Sequence, residues 1–195
     1  MNKWIIASLL NLLFLGVLAV DTPSPLADIG KAPEINLTDV DEKPFDLASL
    51  KGKCVVVSFI FTTCNGTCPL TTKAMAECRD ELTKAGLWGE KVEFVSITLD
   101  PAHDTPDVLK GYSAVYEADP KRWHFLTGKT RSINDFLSEW GMWVKRDAQG
   151  VLDHPSRIFL VDPKGRQREI YSLDFLQPKT VLADVKGLIA EAEHR

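Results

Sequence analysis

The sequence has little that would bind a polyanion. Basic residues never cluster beyond pairs such as Lys121-Arg122, and 23 Lys and Arg are outnumbered by 27 Asp and Glu, for a formal charge of -4. Binding a phosphate backbone needs concentrated positive charge, so a nucleic-acid partner is excluded. Cysteine is also scarce. Four cysteines in 195 residues are too few for a disulfide scaffold to stand in for a core, whereas 45% hydrophobic residues suffice for one sizeable core in one domain or at most two. Internal repeats and low-complexity tracts are absent. With so few cysteines, what matters is where Cys54, Cys64, Cys68 and Cys78 fall.

Charge is missing altogether from Trp4 to Val20, directly after Lys3. That stretch has the length of a secretory apolar segment and falls a little short of the roughly 20 residues that span a bilayer. Residues 1–20 are therefore expected to be a signal peptide cleaved after Ala19, or else a single membrane anchor. No cysteine nearby suggests lipidation. Residues 21–31, with Pro23 and Pro25, read as an extended linker, and residues 32–195 as the folded domain. Either reading exports the domain, to a compartment where thiols tend to be oxidised or metal-bound.

Glu34–Thr38 and Phe45–Leu47 flank the turn residues Asp41–Pro44 and predict an N-terminal β-hairpin. Lys53–Phe61 is a β-branched and aromatic run with no polar alternation except Ser58, which predicts a central strand buried on both faces. Apolar residues at helical spacing follow Pro69, a residue suited to a first helical position, as far as Lys84. Val92–Leu99 reads as a second buried strand, and Thr105-Pro106-Asp107 as the cap of a helix. A strand at Trp123–Leu126, a helix over Ser132–Trp140, a hairpin from Arg157 to Ser172 turning at Asp162–Gly165, and a helix over Thr180–Glu193 complete the chain. The alternation predicts an α/β fold, a mixed sheet with helices on its faces.

The chemistry concentrates where the first buried strand ends, at Cys64-Asn65-Gly66-Thr67-Cys68-Pro69. A helix N-terminus lowers a nearby thiol pKa, and a spacing of four sets both sulfurs on one helical face, close enough to share a metal or form a disulfide. Gly66 is expected to supply loop conformations that a Cβ forbids. Two thiolates are soft ligands that select Cu(I), Zn or an iron–sulfur cluster, and a mononuclear site needs a further ligand. His194 lies next to the carboxyl end and reads as solvated, and His124 lies inside a strand and reads as structural. His103 follows the strand end Leu99-Asp100-Pro101-Ala102, within reach of the cysteine loop. His154 directly precedes a strand and is best placed, because loops at the strand ends of an α/β sheet converge on one rim. Asp100 and Asp153 are candidates for support around the ligands. Cys54 opens the buried strand and Cys78 faces inward from the helix, and both read as small core residues.

These residues carry a resemblance. The segment Phe61–Pro69, the run Ser96-Ile97-Thr98-Leu99-Asp100-Pro101 with Asp104-Thr105-Pro106, then Leu126-Thr127-Gly128, and Asp153-His154 with Leu160–Gly165 together resemble the Sco/SenC family of thioredoxin-fold, copper-binding assembly factors for cytochrome c oxidase. The resemblance runs from about Ala32 to the end. It implies a thioredoxin-like fold, copper held as Cu(I) or Cu(II) by Cys64, Cys68 and His154, and a location in the periplasm or on the inner membrane facing it. Its implied partner is the copper-centre subunit of cytochrome c oxidase or another copper protein.

Two functions fit the pair. A copper metallochaperone would hold the ion on two thiolates and an imidazole and pass it on by ligand exchange. A thiol–disulfide oxidoreductase, supplied by a thiol reductant, would use Cys64 to attack and Cys68 to resolve, reducing the cysteines of a partner's copper site. A peroxidase ranks third, since that chemistry pairs one thiolate with a Thr and an Arg and no Arg lies near the loop in sequence.

Overall fold

The apolar run Lys53–Phe61 forms the predicted central strand, with every residue of Cys54–Ile60 buried. In chain order the elements are β1 (Gly30–Lys31), β2 (Asn36–Asp39), β3 (Pro44–Asp46), β4 (Cys54–Ile60), α1 (Thr67–Lys84), β5 (Val92–Thr98), α2 (Pro106–Val115), β6 (Trp123–Thr127), α3 (Thr130–Glu139), β7 (Lys145–Arg146), β8 (Leu152–Asp153), β9 (Ile158–Val161), β10 (Arg166–Tyr171) and α4 (Pro178–Glu193). This computed structural model describes residues 26–148 and 152–194. The predicted signal or anchor over residues 1–20, and the start of the predicted linker, lie outside the described residues.

Eight strands form one sheet in the order β1-β10-β9-β4-β5-β6-β2-β3, and β7 and β8 form a separate pair. Strands β4, β5 and β6 are parallel, in register Cys54 with Val92 and Phe94 with Trp123, while β9 runs antiparallel to β4. This is the predicted mixed α/β sheet, and the predicted N-terminal hairpin, β2–β3, adds to its edge beside β6.

Side chains alternate along a strand, so the register sends Ser58, Ser96 and Phe125 to one face and Phe59, Ile97 and Leu126 to the other. On the first face, the Tyr112 ring of α2 meets Phe125 at 6.1 Å and its hydroxyl bonds Thr72 of α1 at 2.8 Å. On the second, Phe136 and Trp140 from α3 and its end pack on Phe59 at 6.3 and 6.0 Å. Helices thus cover both faces. Ser58, the one polar residue of the central strand, bonds Ser96 Oγ at 2.9 Å, and Ser96 Oγ accepts the Trp123 indole N–H at 2.9 Å, so the buried hydroxyls are satisfied within the sheet.

The predicted linker differs at its end, where Gly30–Lys31 pairs with Arg166 and Gln167 of β10. An edge strand offers free N–H and C=O groups, and two residues suffice to use them. Buried Arg168 strengthens the junction by donating to the carbonyls of Leu26 and Ala27 at 2.8 and 3.0 Å and pairing with Asp162 and Glu191. Cys54 and Cys78 are buried and unbonded, as core residues.

Because β4, β5 and β6 are parallel, their carboxyl ends share one rim. Strand β9 begins at that same rim, since it runs the opposite way. The turn after β4, the loop after β5 and the residues before β9 therefore meet there, and these segments carry Cys64, Asp100 and His154.

Candidate metal centre

At the end of β4 the chain turns tightly, with the Cys64 N–H donating to Phe61 O at 3.2 Å. Helix α1 then starts at Thr67, without a side-chain cap at Gly66. The Gly66 N–H, just ahead of the helix, donates to Cys64 Sγ at 3.4 Å. The helix begins one residue before Cys68, which makes Pro69 its third residue rather than its first. Proline is tolerated there because first-turn N–H groups have no partner within the helix. Gly66 has φ -115° and ψ -111°, neither helical nor extended, and a Cβ there would touch Cys64 Sγ at an ordinary 3.9 Å.

The two thiols differ. Cys64 is half-buried, whereas Cys68 is 2% exposed. Burial pushes the Cys68 thiol up to about 12; the neighbouring Cys64 thiol and Asp104 add to the rise, and contact with the Phe61 backbone opposes it. For Cys68 the lowering expected at a helix N-terminus is outweighed by desolvation.

His154 lies across from the cysteine loop. Phe61, Cys64, Arg146, Asp153 and His154 line one cavity of about 640 Å³. The His154 ring meets Phe61 edge-on at 5.7 Å, and its Nδ1 lies 2.9 Å from Pro155 O. A carbonyl can only accept, so Nδ1 carries the proton and the Nε2 lone pair is left for a ligand. Among the described residues no three His, Cys, Asp or Glu side chains stand close enough to hold a metal ion together. Cys64 and Cys68 are in contact, and His154 shares the cavity with Cys64 without closing on the pair.

Asp100 is nearly buried beyond the end of β5, where its N–H donates to Thr98 Oγ1 at 2.9 Å. It does not line the cavity, but its carboxylate accepts Arg146 Nη2 at 3.0 Å, and Arg146 does line it. The absence of an Arg near the loop, which ranked a peroxidase third, holds along the chain and not in space. Asp153 lines the cavity and is exposed at the end of β8.

Two residues escaped the sequence reading. Arg146 is one. Asp104, quoted there only as part of a motif, is the other: it is fully buried, and its carboxylate accepts the Thr62 N–H at 3.1 Å, the Thr62 hydroxyl and the Thr98 hydroxyl at 2.6 Å. Its own carbonyl accepts Thr127 Oγ1 at 3.1 Å, so one residue ties together the ends of β4, β5 and β6. His103 reaches the loop base, with Nδ1 3.1 Å from Asp104 Oδ1 and 3.4 Å from Thr62 Oγ1, outside the cavity lining. His124 bonds Glu93 at 2.8 Å, the structural role expected of it.

A mixed sheet with helices on both faces and a pair of cysteines where a central strand meets a helix defines a thioredoxin-like dithiol protein. The SCO1/SenC family model matches residues 26–190, and the chain belongs to that family. It is 32% identical over 151 residues to the SCO1 protein homolog of Bacillus subtilis, covering 75% of this chain and 77% of that one. Among solved structures, Bradyrhizobium japonicum ScoI with copper bound is 28% identical with a TM-score of 0.69, covering 81% of this chain and 99% of that one. BsSco, described as a member of the Sco family of cytochrome c oxidase assembly proteins and as having a disulfide switch, is 28% identical with a TM-score of 0.72, covering 84% and 96%. The resemblance seen in the motifs and the thioredoxin-like fold it implied both hold.

Proposed function

We propose that this protein is a copper metallochaperone, holding one copper ion through Cys64, Cys68 and His154 and delivering it to, or assembling, the dinuclear copper centre of cytochrome c oxidase. The observation that carries this reading is the cavity in which half-buried Cys64, with Cys68 in contact behind it, faces an imidazole whose Nε2 lone pair is free. Two thiols and one imidazole make a soft donor set suited to Cu(I), with capacity for Cu(II). Family membership and the copper-bound relative from Bradyrhizobium japonicum support the same ion.

The residues divide the work by exposure. Cys64 meets incoming copper first, and Cys68 completes the pair by giving up a proton that burial holds tightly. Loading is therefore linked to proton release. Oxidation of the pair to a disulfide removes both thiolates and with them the site. Asp153 and Asp100 act around the ligands, Asp100 by way of Arg146. The partner is the copper-centre subunit of the oxidase or another copper protein. The domain is exported, either free in the periplasm or held at the inner membrane by residues 1–20, and among the described residues no helix is long and apolar enough to cross a membrane.

A second reading rests on the asymmetry of the thiols. An accessible Cys64 beside a buried Cys68 suits attack on a partner's disulfide, followed by resolution of the mixed disulfide by Cys68. Each turnover would reduce the partner's cysteines, oxidise Cys64 and Cys68, and require an external thiol reductant.

Titration of the reduced protein with Cu(I) against a chelator tests the first reading. One ion per chain is expected, with the site lost in Cys64→Ser, and a Cys64→Ser variant that binds as the wild type does would overturn it. His154→Ala separates the two readings: full function in cells without copper binding would favour the reductase.

A further inference from the structure

Among the described residues, strands β7 and β8 pair only with each other, Lys145 with Asp153 and Arg146 with Leu152, and neither joins the eight-stranded sheet. His154 lies between β8 and β9, so its distance from the cysteines depends on how this two-stranded unit is held against the rim as well as on β9. Arg146 makes an ionic link between the two. Its guanidinium lies 3.0 Å from Asp100 Oδ1, and Asp100 is itself fixed, its N–H bonded to Thr98 Oγ1 and its carbonyl accepting the N–H groups of His103 and Asp104 at 3.0 and 2.8 Å. One side chain thus reaches from the strand paired with β8 to the rigid end of β5. Arg146 also lines the cavity between Cys64 and His154.

We propose that Arg146 is a positioning residue for copper binding, clasping the β7–β8 unit to Asp100 so that His154 is held facing the cysteine pair. The proposal rests on the copper reading of Cys64, Cys68 and His154 and assigns no ligand role to Arg146. The Arg146 side chain is 52% exposed, so the ion pair adds little to global stability. Its effect is local, on the ligand next to the β7–β8 unit, and supports of this kind around metal ligands typically change affinity 10- to 100-fold. An Arg suits the task because its long side chain ends in a planar fork that matches a carboxylate.

The test compares Cu(I) affinity of the reduced full chain, by chelator competition, for the wild type, Arg146→Gln, Arg146→Lys and Asp100→Asn, and for Arg146→Gln in a His154→Ala background. Arg146→Gln and Asp100→Asn are expected to weaken binding on the order of tenfold, Arg146→Lys to restore part of the loss, and apo melting of Arg146→Gln to stay at the wild-type temperature. With His154 absent, Arg146→Gln should cost nothing further, because a positioning residue acts only through the ligand it positions. Wild-type affinity in Arg146→Gln, a Lys variant no better than Gln, or an equal loss in the His154→Ala background would each overturn the clasp. Should the wild type bind no Cu(I), the copper reading fails instead, and the clasp is then read from the His154 imidazole resonances of the apo protein. Arg146→Gln should shift or broaden them, and unchanged resonances would refute the clasp.

Discussion

The carboxylate of Asp104 accepts the backbone N–H of Thr62 at 3.1 Å, two residues ahead of Cys64. With the hydroxyls of Thr62 and Thr98 also donating to it, this buried group sets the angle at which the chain leaves β4 and enters the cysteine turn. Removing it strands buried donors, which costs more than losing the bonds alone. Asp104→Ala should therefore lower unfolding stability by about 3 kcal/mol, and Asp104→Asn by somewhat less, because one oxygen still accepts. Urea unfolding of the apo protein checks this, and midpoints within experimental error of the wild type would show that Asp104 does not hold the strand ends.

The four cysteines should separate by accessibility. Cys64 is half-buried, while Cys54, Cys68 and Cys78 are at most 2% exposed, and burial pushes each of those three thiols up to about 12. Alkylation proceeds through the thiolate at an exposed sulfur. Iodoacetamide on the reduced native protein near pH 8 is expected to label Cys64 alone at first, with all four sites reacting after denaturation. Peptide mass mapping reads the order, and early labelling of Cys68 would show a more open pair.

The same three thiols make stability fall in alkali. In the unfolded chain they lose their protons near the ordinary value of 9.0, whereas the folded chain keeps them to about 12. Above pH 9 the unfolded state binds fewer protons, so their contribution, complete below pH 9, is lost as pH rises toward 12. Each thiol contributes a slope of up to about 1.4 kcal/mol per pH unit. Unfolding free energy measured between pH 9 and 10 should decline less steeply in Cys54→Ala and Cys78→Ala than in the wild type, each compared with its own value at pH 7. Equal slopes would mean that these thiols titrate normally in the folded protein.

What could be read from the chain follows from where the determining contacts lie. Strands β4 and β5 and helix α1 were legible because β-branched runs and helical spacing are local signals, and Cys54 and Cys78 read as core for the same reason. Strands β1, β7 and β8 were not, since two residues carry no periodicity and their pairing comes from a sheet edge or from each other. Cys64, Cys68 and His154 were singled out through residue chemistry and motif order. Arg146 and Asp104 were missed because their partners, Asp100 for one and Thr62 for the other, are brought near by tertiary packing, of β7 against the loop after β5 and of the parallel strands β4 and β5, rather than by spacing along the chain. The expected lowering of a thiol pKa at the helix start failed at Cys68 because burial, a tertiary effect, opposes it.

The tautomer of His154 gives a last test, independent of copper. Its Nδ1 lies 2.9 Å from the Pro155 carbonyl, an oxygen that can only accept, so the neutral ring should carry its proton on Nδ1. Free histidine favours the other tautomer, and a predominance of Nδ1–H would therefore report the local hydrogen bond. Long-range nitrogen–proton spectra of the apo protein at pH 8 distinguish the two forms by the separate shifts of the ring nitrogens. A ring protonated on Nε2 would show that the Pro155 carbonyl does not fix the tautomer, and Nε2 would then have to give up that proton before binding copper, whereas the Nδ1–H form presents its Nε2 lone pair directly.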